Sequence, residues 1–281
     1  MRMRTRITRA VGLLLLIYAV MVLLVAGCQR QMIYYPQRGD EPTLTRQAAA
    51  AGLQPWSGAG GDRIGWQRAP EAAEPEAAAV LVIHGNAGHA GHRGYYADAL
   101  GDPRNTGGEG WHVYLLEYPG YGSRPGQPTE RSLKKAAEQA LAQLNDQHPR
   151  VVIVGESLGT GVATHLAGKR PEQVDALLLI SPFPSLVDVG RSHFPWLPVS
   201  WLLRDRYDSQ GPLSGYPGPV AVVIAESDEV IPPRLSQRLF DDYQGTKRRW
   251  VQPGRGHNTM DLSRQAPWWG EVTGFWRESW R

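Results

Sequence analysis

Residues 151–159 have the sequence Val-Val-Ile-Val-Gly-Glu-Ser-Leu-Gly, a short β-branched run that leads directly into Gly-x-Ser-x-Gly. Residues 160–169 follow with a composition compatible with a helix. A strand that turns sharply into a helix at a Ser is a nucleophile elbow, which exposes the hydroxyl at a strained tip. The flanking glycines are needed because a Cβ there would collide with the neighbouring strand or helix. This stretch predicts that Ser157 lies at the tip of such a turn.

The length and composition of the chain are those of a globular α/β protein. With 281 residues, 42% of them hydrophobic, the chain can bury the core of one large domain. The formal net charge is +3, but residues 1–27 contain four Arg and no acidic residue, so the rest of the chain carries 26 basic and 27 acidic side chains. No basic stripe remains on a candidate helix, and the sequence therefore predicts no nucleic-acid partner.

The amino terminus has three parts that are typical of an export signal. A basic stretch is followed by an almost wholly apolar run from Val11 to Val25, and Ala26 and Gly27 then supply small residues before Cys28. Basic, apolar and small-residue segments in this order indicate a secretory signal. Cys28 is the only cysteine, which excludes disulfides within the chain. Its position resembles a bacterial lipobox, in which the thiol is acylated and becomes the new amino terminus.

Two interpretations of this segment stay open. In the first, residues 1–27 are a lipoprotein signal peptide, Cys28 is lipidated, and Gln29 after it favours the outer membrane of a bacterial cell envelope. In the second, the apolar run is an uncut membrane helix, although it is short for a hydrocarbon core that needs about 20 residues. Both interpretations predict attachment to a membrane, with residues 28–60 as tether and domain entry and residues 61–281 as the folded domain.

Strand and helix patterns alternate through the folded domain. An alternating stretch at 62–68 predicts an early edge strand, residues 129–147 predict a helix with Thr129 as its N-cap, and residues 267–280 predict a final tryptophan-rich helix. Alternating strands and helices imply an α/β fold with a doubly wound, mostly parallel sheet. Short apolar runs without polar alternation, typical of parallel strands buried on both faces, occur at 79–83, 113–116, 151–154, 176–180 and 220–224.

Residues 181–219 interrupt this alternation. The segment is longer than an ordinary connection between a strand and a helix, and it is rich in Phe, Trp and Leu. One interpretation is a small cap insertion over Ser157 that supplies an apolar floor for an acyl chain. The other is a crossover helix with loops whose aromatic side chains pack inside the domain.

A serine nucleophile needs a base that takes its proton and an acid that orients the base. In sheets of this kind the chain order is Ser, acid, His. His257 lies downstream of Ser157 in a glycine-flanked loop, outside the helix and the insertion, and we predict it as the base. The acid is expected in the loop after the last apolar run. Asp228 is preferred because its short side chain can hold the imidazole, and Glu226 and Glu229 are neighbouring alternatives.

Backbone N–H groups are predicted to stabilise the oxyanion. The apolar run at 79–83 ends in a glycine-containing bend at 84–88, which lets a backbone N–H face the Ser. We predict the N–H groups of Asn86 and Leu158 as the donors. Histidines are frequent near this bend, but with one Cys and no supporting carboxylate spacing the sequence predicts no metal site and no cofactor.

Five short motifs together resemble the α/β-hydrolase superfamily, over about residues 30 to 260. The likeness is to membrane-tethered esterase or thioesterase-like members, a branch that includes eukaryotic protein depalmitoylases. In those relatives a cysteine cluster is the usual tether, whereas this chain has one Cys. The motifs are His84-Gly85-Asn86-Ala87-Gly88, Tyr118-Pro119-Gly120-Tyr121-Gly122-Ser123, Gly155-Glu156-Ser157-Leu158-Gly159, Ser227-Asp228-Glu229-Val230-Ile231-Pro232 and Gly256-His257-Asn258.

The resemblance implies an α/β-hydrolase fold and a triad of Ser157, His257 and Asp228 with donors at Asn86 and Leu158. We therefore expect a membrane-anchored serine hydrolase that cleaves carboxylic ester or thioester bonds, including lipid-derived ones, through an acyl-enzyme. One alternative is a serine peptidase that acts on short peptides. Another is a hydrolase-fold lipoprotein that is not catalytic and acts as a binding partner, although such proteins usually lack a member of the triad. The fold alone does not fix the substrate.

Overall fold

A large β-sheet forms the centre of the computed structural model, which describes residues 2–70, 77–108 and 110–280. The strands are β1 (Tyr35–Pro36), β2 (Gln54–Ser57), β3 (Arg63–Arg68), β4 (Ala79–Ile83), β5 (Ala87–Gly88), β6 (His112–Leu116), β7 (Val151–Glu156), β8 (Ala176–Ile180), β9 (Val220–Ala225) and β10 (Lys247–Gln252).

Eight of these strands form one sheet in the order β10-β9-β8-β7-β4-β6-β3-β2. The pairs from β10 to β6 are parallel, whereas β3 is antiparallel to both β6 and β2. This is the doubly wound, mostly parallel sheet that the sequence predicts. Ile83 on β4 pairs with Gly155 on β7, so the bend after β4 and the turn after β7 lie side by side at the carboxyl edge of the sheet, where sites in such folds are built.

Helices cover both faces of the sheet. They are α1 (Arg2–Ile33), α2 (Glu41–Ala50), α3 (Gly94–Leu100), α4 (Pro103–Thr106), α5 (Glu130–Asn145), α6 (Leu158–Lys169), α7 (Leu186–His193), α8 (Val199–Leu202), α9 (Gln210–Ser214), α10 (Pro233–Asp242) and α11 (Trp268–Ser279). Side chains of α5, α6, α9 and α10 join one buried cluster, and those of α2, α3 and α11 join the other. Leu81 and Val82, neighbours on β4, point into opposite clusters, as strand geometry requires.

The apolar runs of the sequence locate the buried strands closely. β4 and β8 have the predicted bounds, and the predicted helices correspond to α5 and α11. The Thr129 hydroxyl accepts the N–H of Ser132 (3.0 Å), which confirms the expected N-cap. The prediction of an edge strand at 62–68 is wrong in its position, because β3 lies between β6 and β2 and it is β2 that forms the edge.

Helix α1 continues without a break past Cys28 to Ile33. Its stretch Arg9–Ile33, in which an 18-residue window has a mean hydropathy of 2.8, is the one helix in the described residues that is long and apolar enough to cross a membrane. A signal sequence shares these properties. From Val11 to Val20 the side chains are exposed on all sides, whereas from Met21 onward one face of the helix packs on the domain.

Residues 181–219 contain three short helices, α7, α8 and α9, in place of one crossover helix. The part at 183–203, called here the covering segment, borders the cavity that contains Ser157. The part around α9 packs closely on α6, since a Cβ at Gly168 would overlap the backbone of Pro212. One portion of the segment thus borders the cavity, and another portion packs in the domain.

Candidate active site

Ser157 lies at the turn between β7 and α6. Its backbone has φ 51° and ψ −118°, a region that residues with a Cβ rarely adopt and that costs on the order of 1–3 kcal/mol. The Ser157 N–H donates to the carbonyl of Ile180 (2.9 Å), which fastens the turn to β8. Gly159 permits the turn because a Cβ there would overlap the carbonyl oxygen of Ile83. The turn therefore presents the Ser157 hydroxyl at the carboxyl edge of the sheet.

His257 and Asp228 reach Ser157 from two other loops. His257 Nε2 lies 3.0 Å from Ser157 Oγ, and His257 Nδ1 lies 2.8 Å from Asp228 Oδ2. Asp228 follows β9 and His257 follows β10, so both loops leave the same edge of the sheet as the turn. The structure brings the three predicted residues together in the hydrogen-bonded order that proton transfer from a hydroxyl to an imidazole requires.

Asp228 is buried, with 6% of its surface exposed, and hydrogen bonds hold both of its oxygens. Oδ1 accepts the N–H groups of Val230 (2.9 Å) and Ile231 (2.7 Å), which leaves Oδ2 for His257. Burial alone raises the pKa of Asp228, but the hydrogen bond and charge of His257 and the Ile231 N–H outweigh burial and hold the pKa below its ordinary value. A charged Asp228 keeps the proton on Nδ1, so that Nε2 faces Ser157 as an acceptor.

The two alternative acids contact the backbone of the His257 loop. Glu226 accepts the N–H of Gly254 (2.8 Å), and Glu229 accepts the N–H of His257 (3.2 Å). Both therefore brace the loop that carries the imidazole. Of the three acids that the sequence offers, Asp228 is the one placed against the ring.

Asn86 and Leu158 line the same cavity as Ser157. Leu158 is the first residue of α6, where an N–H has no acceptor within the helix. Across the described ranges, neither of these two N–H groups has a hydrogen-bond partner. The carbonyl of Gly85, which shares a peptide group with the Asn86 N–H, lies 2.7 Å from His84 Nδ1. The carbonyl of Asn86, in the next peptide group, accepts the N–H of Tyr35 (2.9 Å) and the hydroxyl of Tyr121 (2.7 Å). An unpaired N–H at a helix N-terminus, together with a second unpaired N–H in the bend after β4, has the chemistry of oxyanion donors.

An apolar cavity of about 330 Å³ opens beside Ser157. Its walls come from the elbow, from the covering segment and from the carboxyl-terminal end of α1. Polar lining residues are few and include Gln29, Asn86 and His193. The contribution of α1 is not predicted from the sequence, because a membrane-anchor pattern carries no information on which of its side chains contact the domain.

A buried polar network behind the elbow also escapes sequence reasoning. Glu156 accepts the hydroxyls of Tyr95 (3.0 Å) and Tyr96 (2.9 Å) and forms an ion pair with Arg93 (3.2 Å). These contacts fix the residue that immediately precedes Ser157. The motif Gly-x-Ser-x-Gly does not specify its second residue, which is Glu156 here. The partners of Glu156 lie about 60 positions away, so no local sequence signal identifies this network.

The other chemically active side chains lie outside this hydrogen-bonded chain. His165 Nε2 lies 2.8 Å from Glu138 Oε1 on α5. His84 is buried, and burial lowers its pKa well below the ordinary value, so it stays neutral. Cys28 is exposed on α1. In the portion of the chain that the structure describes, no group of three or more His, Cys, Asp or Glu side chains could hold a metal ion.

Known proteins similar to this chain share its fold. The family model for the alpha/beta hydrolase fold matches residues 78–200. An uncharacterized protein of Mycobacterium tuberculosis is 37% identical over 263 residues, which cover 92% of this chain and 91% of that protein. The lysophosphatidylserine lipase ABHD12 of Mus musculus is 30% identical over 236 residues, which cover 76% of this chain and 57% of the lipase.

Among solved structures, an esterase from Pyrococcus furiosus superposes with a TM-score of 0.61 over 88% of this chain and 97% of that esterase. At 14% sequence identity this likeness shows the fold alone. Three findings support one family assignment: the family model, the relative that matches nearly the full length, and the observed sheet. The chain belongs to the α/β-hydrolase superfamily and is a hydrolase of this fold.

Proposed function

We propose that this protein is a serine hydrolase that cleaves carboxylic ester or thioester bonds through an acyl-enzyme. The observation that carries the proposal is the chain of hydrogen bonds from Ser157 through His257 to the buried Asp228. The unpaired N–H groups of Asn86 and Leu158 beside that chain support it further.

In the proposed mechanism, Ser157 Oγ attacks the acyl carbonyl carbon while His257 Nε2 takes the hydroxyl proton. The N–H groups of Asn86 and Leu158 stabilise the negative oxygen of the tetrahedral intermediate. Collapse of the intermediate expels an alcohol or a thiol, which receives the proton from His257. A water molecule, deprotonated by the same imidazole, then releases the carboxylic acid and restores Ser157. Asp228 keeps the imidazole in the productive tautomer throughout.

The apolar cavity supports an acyl chain as the part of the substrate that the protein binds. Each buried methylene contributes about 0.8 kcal/mol, whereas a peptide in this cavity would leave backbone polar groups without partners. Among the relatives, one is named for its action on lysophosphatidylserine, and solved esterases share the fold. These observations favour a lipid-derived ester or thioester over a short peptide.

The tether belongs to the same proposal. We place the protein at a membrane of a bacterial cell envelope, attached through its amino terminus. Two forms of tether fit the sequence: a lipoprotein cut before Cys28 and acylated there, and an uncut helix α1. The intact mass of the protein extracted from membranes separates them, because cutting and acylation change it by thousands of daltons.

Parallel assays of the full chain in detergent micelles test the proposal. The substrates are the p-nitrophenyl ester of octanoic acid, an octanoyl thioester and an aminoacyl p-nitroanilide. We expect hydrolysis of the esters, reduced by on the order of 10⁴- to 10⁶-fold in Ser157→Ala and unchanged in Ser214→Ala, which alters an exposed Ser outside the site.

Each alternative function predicts a different outcome of these assays. Cleavage of the anilide alone would support the peptidase. A folded wild-type protein that hydrolyses none of the substrates would support the binding protein. Ester hydrolysis that persists in Ser157→Ala would remove Ser157 from the mechanism.

A further inference from the structure

One face of helix α1 packs against the covering segment. Met21, Val22 and Val25 contact a small apolar cluster of that segment, formed by Val187, Leu197 and Val199. The opposite face is open, since Leu23 and Leu24 are 71% and 64% exposed. Residues three and four apart lie on the same side of a helix, so the covered face is continuous along this part of α1.

The covered face also forms a wall of the cavity that contains Ser157. Val25, Ala26, Gln29, Met32 and Ile33 of α1 all line that cavity. Consecutive members of this set are one, three, three and one residues apart, which places them on one helical face. The wall therefore belongs to the anchor helix itself, and residues on both sides of Cys28 build it.

Polar contacts hold α1 in this position. Gln29 is 7% exposed; its Nε2 donates to the carbonyl of Leu202 (3.2 Å), and its Oε1 accepts the N–H of Arg204 (2.7 Å). A buried Gln is costly unless both ends of its amide are paired, and here both are. Gln29 lies one helical turn from Val25 and Ala26 on α1, so its contacts with Leu202 and Arg204 also hold these two residues against the covering segment.

The end of the same helix is joined to the loop that carries the predicted oxyanion donor. The side-chain amide of Asn86 donates to the carbonyl of Ile33 (2.8 Å), and Tyr35 N–H donates to the carbonyl of Asn86 (2.9 Å). The cavity wall thus starts next to the reacting centre at Ile33. It runs back along α1 to Val25, about 12 Å at a rise of about 1.5 Å per residue.

We propose that helix α1 is a structural part of the acyl-binding cavity, and that Val25 and Ala26 limit the length of the acyl chain that the enzyme accepts. The inference rests on the proposed function, since it names the residues that would limit the acyl-chain length of the proposed substrate. A wall of about 12 Å accommodates roughly ten carbons in an extended chain, given C–C bonds of about 1.5 Å. The active protein therefore retains the residues that precede Cys28, because a cut there would remove Val25 and Ala26 and open the far end of the cavity.

The test is a chain-length profile of the full chain in detergent micelles. Initial rates are measured on p-nitrophenyl esters from acetyl to dodecanoyl for the wild type, for Ala26→Trp and for Leu24→Trp. We expect Ala26→Trp to lower kcat/KM for the decanoyl ester by about tenfold or more, the effect of displacing two methylenes from the cavity, and to leave the acetyl ester nearly unchanged. Leu24→Trp adds the same ring on the open face and should keep the wild-type profile.

Two further measurements keep the inference separate from the proposed function. Binding of decanoate by calorimetry needs no catalysis, so a protein that hydrolyses no ester still tests the wall, and Ala26→Trp should weaken this binding as it weakens hydrolysis. Circular dichroism checks folding, and Ala26→Leu replaces Ala26→Trp if the larger ring prevents it. The proposal would be overturned if Ala26→Trp and Leu24→Trp had identical chain-length profiles and identical decanoate binding. It would also be overturned if the protein extracted from membranes were active and its intact mass showed cleavage before Cys28.

Discussion

Replacing Asp228 by Asn tests whether Asp228 sets the tautomer of His257. The substitution exchanges one carboxylate oxygen for an NH₂ group in a side chain whose two oxygens both accept hydrogen bonds. In the wild type, Oδ1 accepts the N–H groups of Val230 and Ile231, and Oδ2 accepts from His257 Nδ1. An Asn can keep its oxygen on the two backbone N–H groups. Its NH₂ group then faces Nδ1 and can only donate, which moves the imidazole proton to Nε2. In that tautomer Nε2 points a proton at Ser157 and cannot accept one.

We expect kcat/KM on an ester to fall by about 10⁴-fold in Asp228→Asn, the loss that the same replacement causes in a chymotrypsin-type triad. This corresponds to about 5.5 kcal/mol of transition-state stabilisation. The melting temperature should change little, because the two backbone contacts of Oδ1 are kept. Steady-state rates on a p-nitrophenyl ester and thermal unfolding by circular dichroism measure the two quantities.

Glu226→Gln and Glu229→Gln are the matched controls, since each removes an acid of the same loop that contacts backbone rather than the ring. Each should cost less than about tenfold, because the amide oxygen of Gln can still accept the backbone N–H as a neutral hydrogen bond of about 1 kcal/mol. If Asp228→Asn kept activity within tenfold of the wild type while Glu229→Gln abolished it, the assignment of the acid would be wrong.

Two further predictions concern the fold around the site. Gly159→Ala should destabilise the protein by at least about 2 kcal/mol in urea unfolding, because the added Cβ overlaps the carbonyl of Ile83. The control is Gly274→Ala, whose Cβ meets no atom within 4 Å and which should be neutral or stabilising. Equal effects of the two substitutions would refute the steric argument. Burial raises the pKa of Glu117 to about 7 from an ordinary value of 4.5, so the folded state keeps a proton that the unfolded chain releases. Stability is therefore lost as pH rises from about 4.5 to 7, by up to roughly 3 kcal/mol. The melting temperature of the wild type should fall over this interval relative to Glu117→Gln, and parallel curves would contradict the prediction.

Sequence reasoning located the buried strands and selected a candidate triad from local patterns. A parallel strand covered on both faces is a continuous apolar run, as at 79–83 and 176–180, and such runs have few alternative interpretations. Ser157 and Asp228 follow such runs, whereas His257 is selected by its glycine-flanked loop downstream of Ser157. For this reason Ser157, Asp228 and His257 could be selected without knowledge of the sheet order.

The elements at the sheet edges lack that signal. β10 has the sequence Lys-Arg-Arg-Trp-Val-Gln and is largely solvent-exposed, so it has no apolar run. β2 is four residues long and contains Pro55, which is tolerated there because an edge strand needs fewer ladder hydrogen bonds. The misplacement of the edge at 62–68 follows from the absence of any pattern for β2.

The role of α1 in the cavity depends on contacts between distant parts of the chain. The sequence divides residues 1–27 from the domain because their composition differs. Helix α1 crosses this division, and single side chains such as Gln29 join it to the domain through contacts with Leu202 and Arg204, more than 170 positions away. Contacts of this kind follow from the tertiary structure, and a local pattern cannot predict them.

Covalent labelling of the full chain with a fluorescent fluorophosphonate tests the central claim most directly, because the reagent reacts with a Ser hydroxyl that a base activates. The account predicts a labelled wild-type protein with the adduct on the peptide that contains Ser157. Labelling should be abolished in Ser157→Ala and slowed in His257→Ala. A folded wild-type protein that stays unlabelled, or an adduct on another residue, would contradict the claim that Ser157 is an activated nucleophile.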